Sequence, residues 1–166
     1  PDELTPTTPV ALASTATQQQ KVIAYLRGGS TFGNGPTPQL IEGTNIGQFR
    51  KRLSKLGDLS NSKPVVIGKP NNSWSDSTDP GYSAFKTAQA GRSMRVFVGS
   101  NDGMLHSFDA TAGDEGFAYV PSALFTSAKD DGGKNDRGFH ALTYQDGGSP
   151  IFKHHMYVDA SPRSTD

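Results

Sequence analysis

The stretch RVFVGSNDGMLHSFDATAGDEGFAYVPS, residues 95–122, carries two turn signals, Asp102-Gly103 and ATAGDEG, at a spacing that short strands use and a helix does not. Asp-Gly supplies the positive φ that a tight hairpin needs, because that turn's twist matches the twist of its flanking strands. The chain is thereby committed to strands running up, down and up again. Residues 64–68, 94–99, 104–109 and 116–120 are each apolar runs of strand length, so one four-stranded antiparallel sheet is expected over them. Its first member, Val65 to Ile67, is β-branched and bounded by Pro64 and Gly68, which reads as a buried strand.

The rest of the chain is punctuated too heavily for long elements. Nineteen glycines and eleven prolines stand among 166 residues of which only 33% are hydrophobic, so short strands joined by long loops are expected. Residues 1–50 read as a linker. In it, a Pro- and Thr-rich start gives way to one helix over about 15–27, with Thr15 and Gln18 as a capping box, Val22, Tyr25 and Leu26 as an apolar stripe and Gly28 as the stop. Residues 28–47 read as a long Gly/Pro-rich loop. A second, short helix is expected between the first two strands, with Pro80 at its first position, Tyr82 and Phe85 on one side and Gly91 at its end. Past a single turn at PSALFTSAKDD, residues 139–145 and 154–162 alternate as strands do.

Four strands in a meander with glycine turns make one propeller blade, and a lone blade leaves both faces wet. The fold class is therefore mainly β, a fragment of a β-propeller with four-stranded antiparallel blades and helical and long-loop insertions. Residues 51–166 would hold the first blade and the start of the second.

Composition excludes some functions. Sixteen Lys and Arg balance sixteen Asp and Glu, so no net field draws the chain to nucleic acid or to an anionic membrane. No apolar run approaches the roughly 18 residues of a membrane span, and the first ten residues lack the pattern of an export signal, which would have to lie upstream. Without cysteine there is neither a disulfide framework nor a thiolate metal site.

No catalytic, cofactor-binding or metal-binding residue is assigned. Asp102 and Asp109 suit turns in which a carboxylate accepts backbone N–H bonds better than they suit an acid and base pair. Of His106, His140, His154 and His155, the last two are adjacent in an expected strand and point to opposite faces, which disfavours a shared ion. The glycine-rich RGGSTFGNG lacks the Lys-Ser/Thr ending of a phosphate loop. The basic run RKRLSK reads as a solvated approach to the first strand, and Trp74, among Asn, Ser and Asp, as either a partner anchor or a packed loop residue.

Residues Gly99, Ser100, Asp102, Gly103, Ser107, Asp109, Gly113 and Phe117 fill the frame of the quinoprotein-type propeller repeat, which they resemble, with Ser107 where Ala is usual and Phe117 where a docking Trp is usual. Read further out, VIAYLRGG, LSKLGDLSNSKPVVIGKP, YSAF, RVFVGSNDGMLHSFDATAG, FAYVPSALF and HMYVDASP occur in an order that resembles the C-terminal propeller of the PilC/PilY family, over residues 22–162.

That resemblance implies a non-enzymatic bacterial surface protein acting in type IV pilus biogenesis, adhesion and twitching motility, located at the pilus tip or outer membrane. It implies minor pilins or other pilus tip components as partners, together with host cell-surface molecules. Recognition would lie in residues 28–47, 69–91 and 125–150. The resemblance implies no cofactor in this segment and calcium only elsewhere in a full-length protein, since DDGGKND and SDSTD lack the spacing of an oxygen-ligand loop. Members of the family often follow YLRG with an acidic residue, an integrin-type sequence, whereas here Arg27-Gly28 is followed by Gly29. The alternative is a fragment of a quinone (PQQ)-dependent dehydrogenase propeller, which would need convergent acids and a stacked cofactor.

Overall fold

In the computed structural model, residues 16–33, 36, 38–45, 48–126, 129–130, 135–136, 138–145 and 152–165 are described, and the side chains of 16–19, 129–130 and 135–136 are not. The ordered elements are α1 (Ala16–Leu26), β1 (Thr31–Phe32), β2 (Gln39–Leu40), β3 (Glu42–Gly43), β4 (Phe49–Arg50), β5 (Val65–Ile67), α2 (Tyr82–Ala88), β6 (Arg95–Ser100), β7 (Met104–Asp109), β8 (Glu115–Tyr119), β9 (Lys129–Asp130) and β10 (Asn135–Asp136). They divide into two units, Pro1–Asp58 with Pro121–Tyr157, and Leu59–Val120 with Val158–Asp166.

The second unit is built on the expected sheet, four antiparallel strands in the order β5-β6-β7-β8. Its centre is the β6–β7 hairpin, in register from Arg95 opposite Asp109 to Ser100 opposite Met104. The turn spans the three residues Asn101 to Gly103: Gly103 donates to the Ser100 carbonyl (3.1 Å) and holds a positive φ, 89°. Asp102 Oδ1 also accepts the Met104 N–H at 3.2 Å.

Leu105, Ser107 and the interrupted pairing at Phe108 join β7 to β8, where Gly116 is passed over as a bulge. On one face Phe97 and Phe117 meet edge to face, 6.1 Å between centroids, across the fully buried Ser107 that lies between them in register. A small side chain is required there, which accounts for the alanine-like position. The hydroxyl has no hydrogen-bond partner among the described residues.

Three expectations for this unit need correction. The strand Val65 to Ile67 exists but is not buried: it forms one edge of the sheet, and Val66 is 58% exposed. Pro80 does not open α2. The helix begins two residues later, after Gly81 in a left-handed conformation, because Asp79 is used in a turn whose carbonyl accepts the Tyr82 N–H. Residues 158–162 form no strand. Instead, Asp159 accepts the Asn61 N–H and Ser161 the Lys63 N–H (2.9 Å), so side chains take the backbone donors that a strand ladder would have used.

In the first unit α1 ends as its sequence demands. Gly28 (φ 92°) donates to the Tyr25 carbonyl and Gly29 to the Ala24 carbonyl, both at 2.8 Å, the paired bonds of a Schellman stop. The capping box at Thr15 and Gln18 lies outside the described residues. Val22, Tyr25 and Leu26 are buried as a stripe, with Ile41, Phe49, Phe139, Leu142 and Tyr144 completing the unit's core. Tyr25 meets Phe49 edge to face at 5.2 Å and donates its hydroxyl to the Arg50 carbonyl at 3.0 Å.

The described residues of the stretch 28–47 form a loop pinned by two-residue pairings: β1 runs antiparallel to β2, and β3 parallel to β4. Residues 139–145 are not a strand either. Phe139–Thr143 is a 3-10 helix in which all five side chains are buried, so the segment lacks the alternating exposure that a half-buried strand shows.

This unit also holds a buried ion pair that involves one residue, Arg52, of the basic run read as solvated. Arg52 donates to Glu42 Oε2 (2.8 Å), to the Tyr25 carbonyl (2.7 Å) and to the Gly29 carbonyl (3.1 Å), with its guanidinium 3.7 Å above the Tyr25 ring. Lys55 also reaches Glu42, at 2.8 Å. RKRLSK is solvated at Lys51, Leu53, Ser54 and Lys55 but not at Arg52, since the side chains of Arg52 and Glu42 are 9% and 6% exposed. Burial pushes the Glu42 carboxyl up, but the hydrogen bonds from Arg52 and Lys55 outweigh it and hold the group down at about 2.

Two outcomes are expected. Gly103→Val should destabilise the second unit by about 2 kcal/mol, because a β-branched residue is strained at positive φ; denaturant unfolding followed by Trp74 fluorescence checks it, and an unchanged midpoint would refute the turn. In the first unit, the Glu42 carboxyl falls from 4.5 to about 2 on folding, so its stabilising effect is complete above 4.5 and is lost as the pH drops towards 2. Glu42→Gln should remove about 3 kcal/mol of that acid-sensitive stability, and the helix signal of α1 in circular dichroism should then lose its transition in this pH window.

Candidate functional site

The acidic residues of the sheet are turn builders first. Asp109 Oδ1 accepts the N–H groups of Thr111 (2.8 Å) and Ala112 (2.9 Å), and these bonds hold its carboxyl below the usual range. Asp102 caps its own turn but also faces His106, at 3.0 Å from Oδ2 to Nε2. The other ring nitrogen, Nδ1, lies 2.5 Å from Glu115 Oε1 on β8. Glu115 was not singled out in the sequence, since its partner lies across a bulge and no fixed spacing announces it.

The remaining histidines are used separately. His154 pairs with Asp58 at 2.9 Å on the surface, His155 lies against Tyr157, and His140 is buried beside Tyr144. Among the described residues no three His, Asp or Glu side chains are placed to hold a metal ion.

The Arg27-Gly28-Gly29 segment is a helix stop. A Cβ at Gly29 would lie 2.8 Å from the Ala24 carbonyl oxygen, so an acidic residue at this position would force the stop to shift. Residues 69–91 form an aromatic run: Trp74 packs on Tyr82 (5.4 Å), and Tyr82 on Phe85 (6.0 Å). Tyr82 is buried, but Trp74 and Phe85 keep an exposed edge. Trp74 is therefore both packed and accessible. Asp76 Oδ1 accepts the Ser83 N–H at 2.9 Å and Lys86 reaches the Asn72 carbonyl at 2.9 Å, tying the segment to α2. In residues 125–150, β9 pairs with β10, and much of the remainder lies outside the described residues.

The sheet itself exposes several apolar side chains. Every residue of β8 is exposed, Phe117 by 50% and Tyr119 by 56%, and Val66 on the opposite edge strand is open as well. Such strands and rings ordinarily have a covering neighbour. No helix among the described residues is long and apolar enough to cross a membrane.

Comparison with known proteins supplies the wider context. Residues 56–166 match the family model of the PilY1 beta-propeller domain. The type IV pilus biogenesis factor PilY1 of Pseudomonas aeruginosa strain PAK is 39% identical over 153 residues, which cover 88% of this chain and 11% of that protein. A PilY1 homolog from Xylella fastidiosa is 43% identical over 118 residues, covering 68% of this chain and 9% of the relative. The chain thus spans about a tenth of the length of the curated relatives it matches. No solved structure matches it. With a four-stranded antiparallel sheet at the centre of the matched region and this identity over most of its length, the chain belongs to the PilY1 beta-propeller family.

Proposed function

We propose that this chain is a propeller segment of a non-enzymatic type IV pilus biogenesis factor, with the β5-β6-β7-β8 sheet as one blade. The observation that carries the reading is the coincidence of the family match, residues 56–166, with an antiparallel meander whose edge strands leave Val66, Phe117 and Tyr119 exposed. Blades bury such surfaces against neighbouring blades. The relatives' names favour pilus assembly over the quinone-dependent dehydrogenase alternative. On this reading the protein works at the bacterial cell surface or pilus tip, with minor pilins, other tip components or host surface molecules as partners. Contacts would come from the insertions, foremost the Trp74–Phe85 segment, because loops vary while the blade frame persists. Calcium and any cofactor are assigned to parts of the protein outside this segment.

Two measurements test the reading. The isolated chain should self-associate in sedimentation velocity, since Val66, Phe117 and Tyr119 and the sheet edges are uncovered; a monodisperse, heat-resistant monomer would show that the sheet needs no neighbour. In the full-length protein, deletion of residues 69–91 should reduce piliation, adhesion or twitching while leaving quinone-dependent alcohol and sugar oxidation intact. Normal pili with lost oxidation would overturn the assignment.

A further inference from the structure

His106 is a buried side chain, 5% exposed, in the middle of β7. Across the ladder it is flanked by Val98 of β6 and Ala118 of β8, neither of which titrates, and its ring stacks on Phe108 of its own strand at 5.8 Å. The charged groups acting on it are Asp102, from the β6–β7 turn, and Glu115, from the start of β8. They take opposite ends of the ring: Nε2 has Asp102 Oδ1 and Oδ2 at 3.1 and 3.0 Å, and Nδ1 has Glu115 Oε1 at 2.5 Å.

An ionised carboxylate only accepts hydrogen bonds, and a neutral imidazole donates through one nitrogen only. Two carboxylates on two ring nitrogens are both satisfied when the ring is an imidazolium. We propose that His106 is the pin of a proton-dependent clasp, in which the protonated ring ties the outer strand β8 to the β6–β7 turn and the neutral ring releases it. Loss of the proton to solvent leaves a lone pair facing one carboxylate. Glu115 is the group that lets go, because its side chain is 47% exposed and water can replace the ring, whereas Asp102 is 15% exposed and also held by the Met104 N–H. β8 is bulged at this end, so the regular ladder is interrupted beside Glu115, while the Phe97–Phe117 contact and the pairing to β7 lie beyond the bulge.

The direction of the effect follows from the ring's ionisation. Burial lowers the affinity of His106 for its proton, but the hydrogen bonds to Asp102 and Glu115 outweigh this and raise it above the ordinary 6.5. A raised value means that the clasp is fully closed below 6.5 and opens as the pH climbs through the folded-state value. The strand released is the one that carries Phe117 and Tyr119, so alkaline conditions would free an apolar edge for pairing while β5, β6 and β7 stay in register.

The test is nuclear magnetic resonance of the whole chain between about pH 6 and about pH 9, reading the His106 ring nitrogens and the amide protection of each ladder after correction for intrinsic exchange. His106 is expected to titrate above 6.5, with protection in the β7–β8 ladder falling about tenfold through that titration while the β6–β7 ladder holds. Glu115→Gln, at an exposed position that removes no core contact, should lower the titration and flatten the β8 step. His106→Gln should abolish the step if it folds, and the Glu115 variant decides the matter if it does not. Titration at or below 6.5, equal loss of protection in both ladders, or an unmoved titration in Glu115→Gln would each overturn the clasp.

Discussion

The register of the β6–β7 hairpin decides almost everything else in the sheet-forming unit. With Ser100 opposite Met104 and Phe97 opposite Ser107, one face receives Phe97, Ser107 and Phe117 as a row, and the other receives Val98, His106 and Ala118. A slip of one residue would exchange the two rows. Ser107 would then lose the rings that close over it, and His106 would leave the reach of Asp102. The three-residue turn that prevents this slip depends on a single backbone conformation, at Gly103. The same turn also presents the Asp102 carboxylate to the ring two residues beyond Met104, so the hairpin's geometry and its charge pattern have one origin.

The other unit solves a different problem. Among its described residues no strand is longer than two residues, and backbone carbonyls at the end of α1 and in the following loop are satisfied by side chains. Arg52 does this for Tyr25 and Gly29 while pairing with Glu42. Gln145 does the same for the β3–β4 connection, donating to the carbonyls of Asn45 (2.9 Å) and Gln48 (2.6 Å). A buried ion pair is weak evidence for net stability, but one that also caps a helix end and covers an aromatic ring fixes a conformation that apolar contact alone would leave loose.

The contrast explains what the sequence made legible. Strands β6 to β8 could be read because each is local, an apolar run, a glycine turn and the next run, and β5 because its β-branched run is bounded by Pro64 and Gly68, although α2 separates it from its partner β6. The α1 stripe and its glycine stop were readable for the same reason. Residues 139–145 misled because an apolar run without a turn signal is equally compatible with a buried single-turn helix, and only its packing partners choose. Arg52 within RKRLSK could not be singled out because its partner, Glu42, sits in the two-residue β3 ten residues upstream with no periodicity connecting them. Glu115 was missed because the β8 bulge, not sequence spacing, brings it to His106.

What remains exposed is as informative as what is buried. The sheet's pairing is complete internally, yet β8 offers two aromatic rings and an unpaired edge to solvent, a combination that single domains normally cover or blunt with charge. In β8 the one charged residue is Glu115, and it is turned to His106 rather than left free to guard the edge. A strand whose only charge is committed to an internal contact, while its apolar residues face outward, is built to be covered by something else. Membership of a propeller family gives a physical reason for that arrangement, because in a propeller the neighbouring blade supplies the missing face.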